Sequence, residues 1–265
     1  MAHSDDPTPQ GEHPRASDAQ VAALAAELER SDCTFVLSGA GMSTESGLPD
    51  YRGPSGMWRN RRFEELASIE AMRREPAEFW EFYRMRLDHL GAAEPNAGHR
   101  ALARLQDAGV VERVVTQNVD GLHQAAGSDD VLELHGSLRV ARCRSCGREL
   151  PIEAARDRWA ADPDAVPHCD CGHVLGPGVV LFGEPLPLAI ERAFELAERA
   201  TLSIALGTSL EVFPAAHLPL VTVERGGALG IVTQGRTGFD DIAAVRIDAR
   251  LGDVLPRVAS LLLDA

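Results

Sequence analysis

Hydrophobic positions along the chain follow two rhythms. Val21, Leu24, Ala25 and Leu28 recur at helical spacing in VAALAAELER, and Ser17 with Gln20 forms a capping box just ahead of them, so a helix starts there. Short β-branched runs stopped by glycine or polar residues come next: CTFVLSGAG, VERVVT, VLEL, GVVLF, TLSIALG, ALGIVT and AAVRID. Between several of them lie the helical patterns HRALARLQDAG, LAIERAFELAERA and FPAAHLPLVTVERGG. Strands alternating with helices predict an α/β fold: a doubly wound, parallel, Rossmann-like sheet with helices on both faces. Two segments break the alternation. One, about 54–92, is helical and rich in arginine and aromatics, and the other, about 138–177, holds four of the five cysteines. Both read as insertions that together form a smaller helical, metal-binding lobe. Residues 1–16 are too polar to bury the apolar surface that would offset ordering, which predicts a disordered tail before one domain spanning 17–265.

Length and charge narrow the function. A chain of 265 residues, 45% hydrophobic, can bury a large core, while a formal net charge of -14 opposes nucleic-acid binding by phosphate neutralisation. No apolar run approaches the roughly 18 residues that cross a bilayer, and the first residues have neither a signal-peptide core nor an Arg-rich transit pattern. The expectation is a cytoplasmic protein without membrane or nucleic-acid partners.

Chemistry concentrates where predicted strands end. GAGMSTESGLPDYRG, residues 39–53, follows the strand ending at Ser38. Gly39 and Gly41 permit a tight turn and close backbone approach to a pyrophosphate, with helix N–H groups facing the anion. A G-x-G after a strand is equally compatible with a plain turn, but a simple dinucleotide fingerprint does not continue into SGLPDYR, which sets Asp50, Tyr51 and Arg52 on a Pro- and Gly-bounded loop. TQNVDGLH, residues 116–123, follows VERVV and would project Gln117, Asn118 and Asp120 into the crevice at the carboxyl end of the sheet, or form a polar turn. His135, in LHG past another strand, is placed where a general base works, although a lone histidine is more often structural.

Cys143-x-x-Cys146 and Cys169-x-Cys171 offer four thiolates for one tetrahedral structural Zn²⁺. The second pair is one residue shorter than the common knuckle, so His168 or His173 could replace a ligand, and a metal-free module is the alternative.

Together these motifs, with LHGS, VVLFGE at 179–184 and GTSLEVFPA at 207–215, occur in the order found in sirtuins, which the chain resembles over nearly its whole length after the tail. The resemblance implies an NAD-dependent protein-lysine deacylase that yields nicotinamide and O-acyl-ADP-ribose, with acyl-lysine proteins or peptides as partners. It implies NAD contacts from Gly39, Ala40, Gly41, Asp50, Tyr51, Arg52, Gln117, Asn118, Gly207, Thr208, Ser209 and Thr233, and an Asp120 hydrogen bond to the carboxamide. His135 matches the catalytic base, with Asn118 and Asp120 beside it. Val179, Val180, Phe182 and Gly183 match the segment that pairs with substrate backbone by β-addition.

Departures from the family pattern are Thr233 in place of an asparagine, Gly176 in place of an arginine before the proline, and Leu181 in place of an aromatic. In PAEFWEFYRMRLDHL, Tyr83 and Arg86 lie three apart on one helical face. Read alone, they are a half-buried ring and a solvated charge. Within FYRMR they resemble the Tyr-x-x-Arg pair of the sirtuins that remove succinyl, malonyl and glutaryl groups, and Ala67 matches a small residue beside that acyl pocket. This implies a preference for acidic acyl groups over acetyl, against the alternatives of plain deacetylation, mono-ADP-ribosyl transfer, or a non-catalytic NAD or ADP-ribose sensor.

Overall fold

The computed structural model describes residues 15–53, 56–161 and 166–264. Among these, the strands are β1 Thr34–Ser38, β2 Arg113–Thr116, β3 Leu132–Glu133, β4 Gly136–Cys143, β5 Glu149–Pro151, β6 Leu175–Val179, β7 Leu202–Leu206, β8 Ala228–Val232 and β9 Val245–Ile247. Six form one parallel sheet in the order β3-β2-β1-β7-β8-β9, the doubly wound arrangement expected, with its switch point between β1 and β7.

Burial follows the two-residue period of the strands. In β1 all five residues are buried, with Val36 joining one core and Phe35 and Leu37 the other. The first core packs the helices Asp18–Arg30, Ala97–Asp107 and Leu251–Leu263 on one face, and the second packs Ala189–Arg199 and Leu218–Glu224 on the opposite face. Ser17 accepts from the Gln20 backbone N–H while the Gln20 side chain accepts from the N–H of Ser17, so the capping box forms as expected. The pattern FPAAHLPLVTVERGG is split into a 3₁₀ turn, Ala215–His217, and the helix Leu218–Glu224, with Pro219 in its first turn.

A third core lies outside the sheet. It joins the helix Pro76–Gly91, through Phe79, Trp80, Phe82 and Tyr83, to β4, β6 and the buried Cys143 and Cys169. Here β5-β4-β6 make a small antiparallel sheet. The run GVVLF, expected among the parallel strands, instead gives its first two residues to β6, because that strand leaves the cysteine insertion and pairs with the insertion's own opening strand. The expected tail lies outside the described residues as far as 14; Ala16 itself is buried, its N–H donating to Asp253 and its carbonyl accepting from Arg257. Among the described residues no helix is long and apolar enough to cross a membrane.

Candidate functional site

At the switch point two backbones cross almost in contact. A Cβ on Gly39 would stand 2.8 Å from the Gly207 carbonyl oxygen, and a Cβ on Gly207, which sits at φ +59°, would stand 2.5 Å from the Met42 nitrogen. Gly41 donates its N–H to the Gly207 carbonyl across this crossing. Only side-chain-free residues let the loop after β1 lie on the loop after β7. Beyond the first glycine the chain forms two 3₁₀ turns, Ala40–Met42 and Thr44–Ser46, in place of a long helix.

Above the crossing opens a cleft of about 950 Å³ between the large and small lobes. Ala40, Gly41, Asp50, Tyr51, Arg52, Gln117, Asn118, His135, Gly207, Thr208, Ser209 and Thr233 line it, as do Ala67, Tyr83, Arg86, Val179, Val180, Phe182 and Gly183. Gly39 sits beneath, in the crossing itself. Asp120 faces a small side chamber of about 40 Å³ whose walls share Ala40, Tyr51, Arg86, Asn118 and Val119 with the main cleft.

His135 places its Nδ1 2.9 Å from the Gln117 carbonyl oxygen. A carbonyl only accepts, so Nδ1 carries the proton and Nε2 keeps its lone pair. Burial lowers the His135 pKa below its ordinary value, against the Gln117 hydrogen bond, and Arg52 nearby lowers it further. The ring is therefore neutral at pH 7. Asn118 donates through Nδ2 to the Gly39 carbonyl, 3.0 Å, and to the Ser43 hydroxyl, 3.2 Å. Ser43 in turn donates to Asp120, 2.7 Å, while the other Asp120 oxygen accepts from the Leu122 N–H, 2.9 Å. Burial raises the Asp120 pKa, and these two donors oppose the rise. Gln117 donates to Thr208, 2.9 Å, tying the β2 loop to the β7 loop. Asp50 accepts from the Gly53 N–H and shapes its own loop, and Arg52 reaches Glu211 at 3.7 Å.

At the small-lobe end, Tyr83 is fully buried rather than half-buried, because its ring packs between Phe79 and Phe82. Arg86 donates to the Tyr51 hydroxyl at 2.5 Å, and its guanidinium lies 5.2–5.7 Å from the ring centres of Tyr51, Phe82 and Tyr83. Burial alone would lower its pKa, but the two phenols hold it above the ordinary arginine value. Burial pushes the Tyr83 phenol up to about 12, so it remains a hydrogen-bond donor. Among the described residues no carboxylate pairs with Arg86.

Several wall residues were not legible in the sequence. Trp58 stacks on Tyr51 at 5.0 Å and meets Phe182 edge-on at 5.8 Å. Val212 and the exposed Phe213 also line the cleft, inside a motif already noted for its glycine. Ser43 carried no mark beyond its place in the 39–53 string.

Away from the cleft, the Sγ atoms of Cys143, Cys146, Cys169 and Cys171 all lie within 4.8 Å of one another, with 3.5 Å between Cys143 and Cys171 and 3.7 Å between Cys146 and Cys169. Four sulfurs about 2.3 Å from a central Zn²⁺ stand about 3.8 Å apart, so the cluster fits structural zinc and is too wide for disulfides. All four thiols being available, His173, 3.6 Å from Cys171, is a neighbour of the cluster and not a substitute within it.

The Sir2 family model matches residues 39–214. An NAD-dependent protein deacylase of Thermococcus kodakarensis is 46% identical over 234 residues, 87% of this chain and 91% of that protein. NAD-dependent protein deacetylase 1 of Geobacillus kaustophilus is 48% identical over 231 residues, covering 86% and 93%. Among solved structures, a Sir2 bound to acetylated peptide superposes with TM-score 0.82 at 37% identity, over 91% of this chain and 98% of that one. A Sir2 bound to a propionylated peptide gives 0.83 at 38% identity, with the same coverage.

Proposed function

The chain belongs to the Sir2 family, and we propose from that premise that it is an NAD-dependent protein deacylase which favours acidic acyl groups on lysine. NAD, as co-substrate, supplies an electrophilic ribose carbon to the acyl oxygen, one water is consumed as the amide C–N bond breaks, and the products are nicotinamide, O-acyl-ADP-ribose and free lysine.

The chain's own groups divide the work. The glycine crossing and the 39–53 loop receive the dinucleotide, with Asp50, Tyr51 and Arg52 over it and Gly207, Thr208, Ser209 and Thr233 on the far side. Asn118 and Gln117 orient the nicotinamide ribose. Asp120 accepts from the carboxamide in the side chamber. His135 takes a ribose hydroxyl proton at Nε2, the nitrogen left free by the Gln117 hydrogen bond. The 179–183 segment receives the peptide backbone, and lysine enters the channel toward Ala67. Zinc, held by Cys143, Cys146, Cys169 and Cys171, braces the small lobe without taking part in the chemistry. Such thiolates persist where thiols stay reduced, which supports a cytoplasmic setting.

The acyl preference rests on Arg86: a cation in the cleft wall whose partners among the described residues are the phenols of Tyr51 and Tyr83, and no carboxylate. A distal succinyl or malonyl carboxylate supplies the missing anion through charge-assisted bonds from Arg86 and Tyr83. An acetyl group leaves that cation unmatched, at a cost of about 1.5–3 kcal/mol, or roughly ten- to a hundredfold in kcat/KM. Steady-state kinetics on matched succinyl-, malonyl- and acetyl-lysine peptides should rank the first two higher. Arg86→Met should erase that advantage and spare acetyl turnover. Equal losses on all three peptides would make Arg86 structural, and a wild-type preference for acetyl would overturn the specificity.

A further inference from the structure

Arg144 lies between two of the clustered cysteines, yet its side chain reaches out of that module to the segment leading into the cleft. Its Nη1 donates to the Pro177 carbonyl at 2.7 Å and its Nη2 to the Val179 carbonyl at 2.8 Å. Both Nε and Nη2 stand 3.1 Å from the two carboxylate oxygens of Glu184. Glu184 closes the loop by accepting from the Leu181 N–H at 2.9 Å. The pair is largely buried, with side chains 17% and 18% exposed. Burial pushes the Glu184 carboxyl up, but Arg144 and the Leu181 N–H outweigh it and hold it below the ordinary value.

These bonds grip β6 and the turn after it at successive points from 177 to 184. The other edge of the turn is held separately, by Phe182 to Ala67 and by Ile69 to Phe182, while Val180 donates to the His135 carbonyl. Gly176 fits the arrangement: a Cβ there would stand 2.6 Å from Nη1 of Arg144 and 2.9 Å from the Met72 sulfur, so the bare residue before Pro177 leaves the guanidinium room in this position.

We propose that Arg144 is a positioning residue for peptide: through Glu184 it couples the cysteine cluster to the 179–183 segment, so that loss of metal or of the clamp weakens acyl-peptide binding while leaving dinucleotide binding intact. The inference rests on the reading that 179–183 pairs with peptide backbone. Cys143 and Cys146 fix the backbone on either side of Arg144, and metal bound by them fixes the origin of its side chain. The Arg144 and Glu184 bonds do not reach the loops after β1, β2 and β7 that form the dinucleotide end of the cleft, and the Val180–His135 bond, which does meet that end, is separate from the clamp.

The test measures three quantities on full-length protein: acyl-lysine peptide Kd by fluorescence anisotropy, ADP-ribose Kd by calorimetry, and zinc content. Arg144→Gln, and independently Glu184→Gln outside the cysteine module, should weaken peptide binding about tenfold, as expected for loss of a charged hydrogen-bonded pair. ADP-ribose Kd should stay within about twofold and zinc near one per chain. Arg144→Lys should restore part of the loss, since a cation is kept but the fork is not. Chelating zinc from wild type should give the same peptide-selective loss, and chelating it from Arg144→Gln should add little. An acyl-lysine peptide N-methylated at both amides flanking the acyl-lysine is the control on the underlying reading, because it removes the main-chain donors that strand addition uses. If it binds as tightly as the unmethylated peptide, 179–183 is not the peptide segment and the reading falls. If it binds more weakly while Arg144→Gln and Glu184→Gln leave affinity for the unmethylated peptide unchanged, or if those two weaken ADP-ribose equally, the clamp alone is overturned.

Discussion

At His135 a main-chain carbonyl decides which nitrogen is free to accept a proton, holding Nδ1–H and leaving Nε2 basic. His135→Ala should lower deacylation by about 10²–10⁴-fold, the usual worth of a positioned base, while the thermal midpoint moves little. Turnover near wild type would remove the assignment. Because burial depresses the folded pKa, the imidazole stays neutral to a lower pH than free histidine, so the acid limb of kcat should lie below pH about 6.5. A limb above that value would place the titration elsewhere. Asp120→Asn should weaken NAD use and nicotinamide inhibition together, since it leaves one amide oxygen where two carboxylate oxygens accept from Ser43 and Leu122. The residue types were legible because they sit in long strings at strand ends. Their partners were not: Ser43 meets Asp120 across 77 positions and Tyr51 meets Arg86 across 35, and no local pattern marks such contacts.

Among the elements, the parallel strands could be read because each is a buried β-branched run ended by glycine or a polar residue. The antiparallel sheet could not, since GVVLF has the same composition as a parallel strand and only its pairing with β4 distinguishes it. The glycine crossing was anticipated as room for an anion, whereas the structure also makes it a packing requirement between two loops. Gly207→Ala should therefore destabilise the protein by more than about 2 kcal/mol, through both the left-handed backbone and the 2.5 Å approach to Met42, and calorimetry would register the fall. A variant as stable as wild type would mean that the crossing is loose. The cysteine cluster makes a simpler demand: metal analysis of purified protein should give about one zinc per chain, and a value near zero on active protein would refute the site.

For the whole molecule, two buried histidines make folding sensitive to acid. His99 and His123 meet with ring centres 4.9 Å apart beneath the cleft, and burial, aided by neighbouring positive charge, pushes their pKa values down to about 4 and about 3. Unfolded, each titrates near 6.5, so between those values the unfolded chain binds more protons and stability declines as pH falls. Denaturant midpoints should be flat above pH about 6.5 and drop steadily toward pH 4, whereas a flat profile through that range would contradict the burial of a neutral pair. The doubly wound order was legible because strands and helices alternate through most of the chain; the closure of the small lobe over the sheet was not, since it depends on aromatic packing among segments far apart in sequence. The central claim is that one cleft exchanges an acyl-lysine amide for nicotinamide release. Incubating the pure protein with NAD and a succinyl-lysine peptide, and weighing every product by mass spectrometry, tests it most directly. The predicted result is free-lysine peptide, nicotinamide and O-succinyl-ADP-ribose in equal amounts; NAD left intact, or nicotinamide released with ADP-ribose attached to protein and the peptide still acylated, would contradict it.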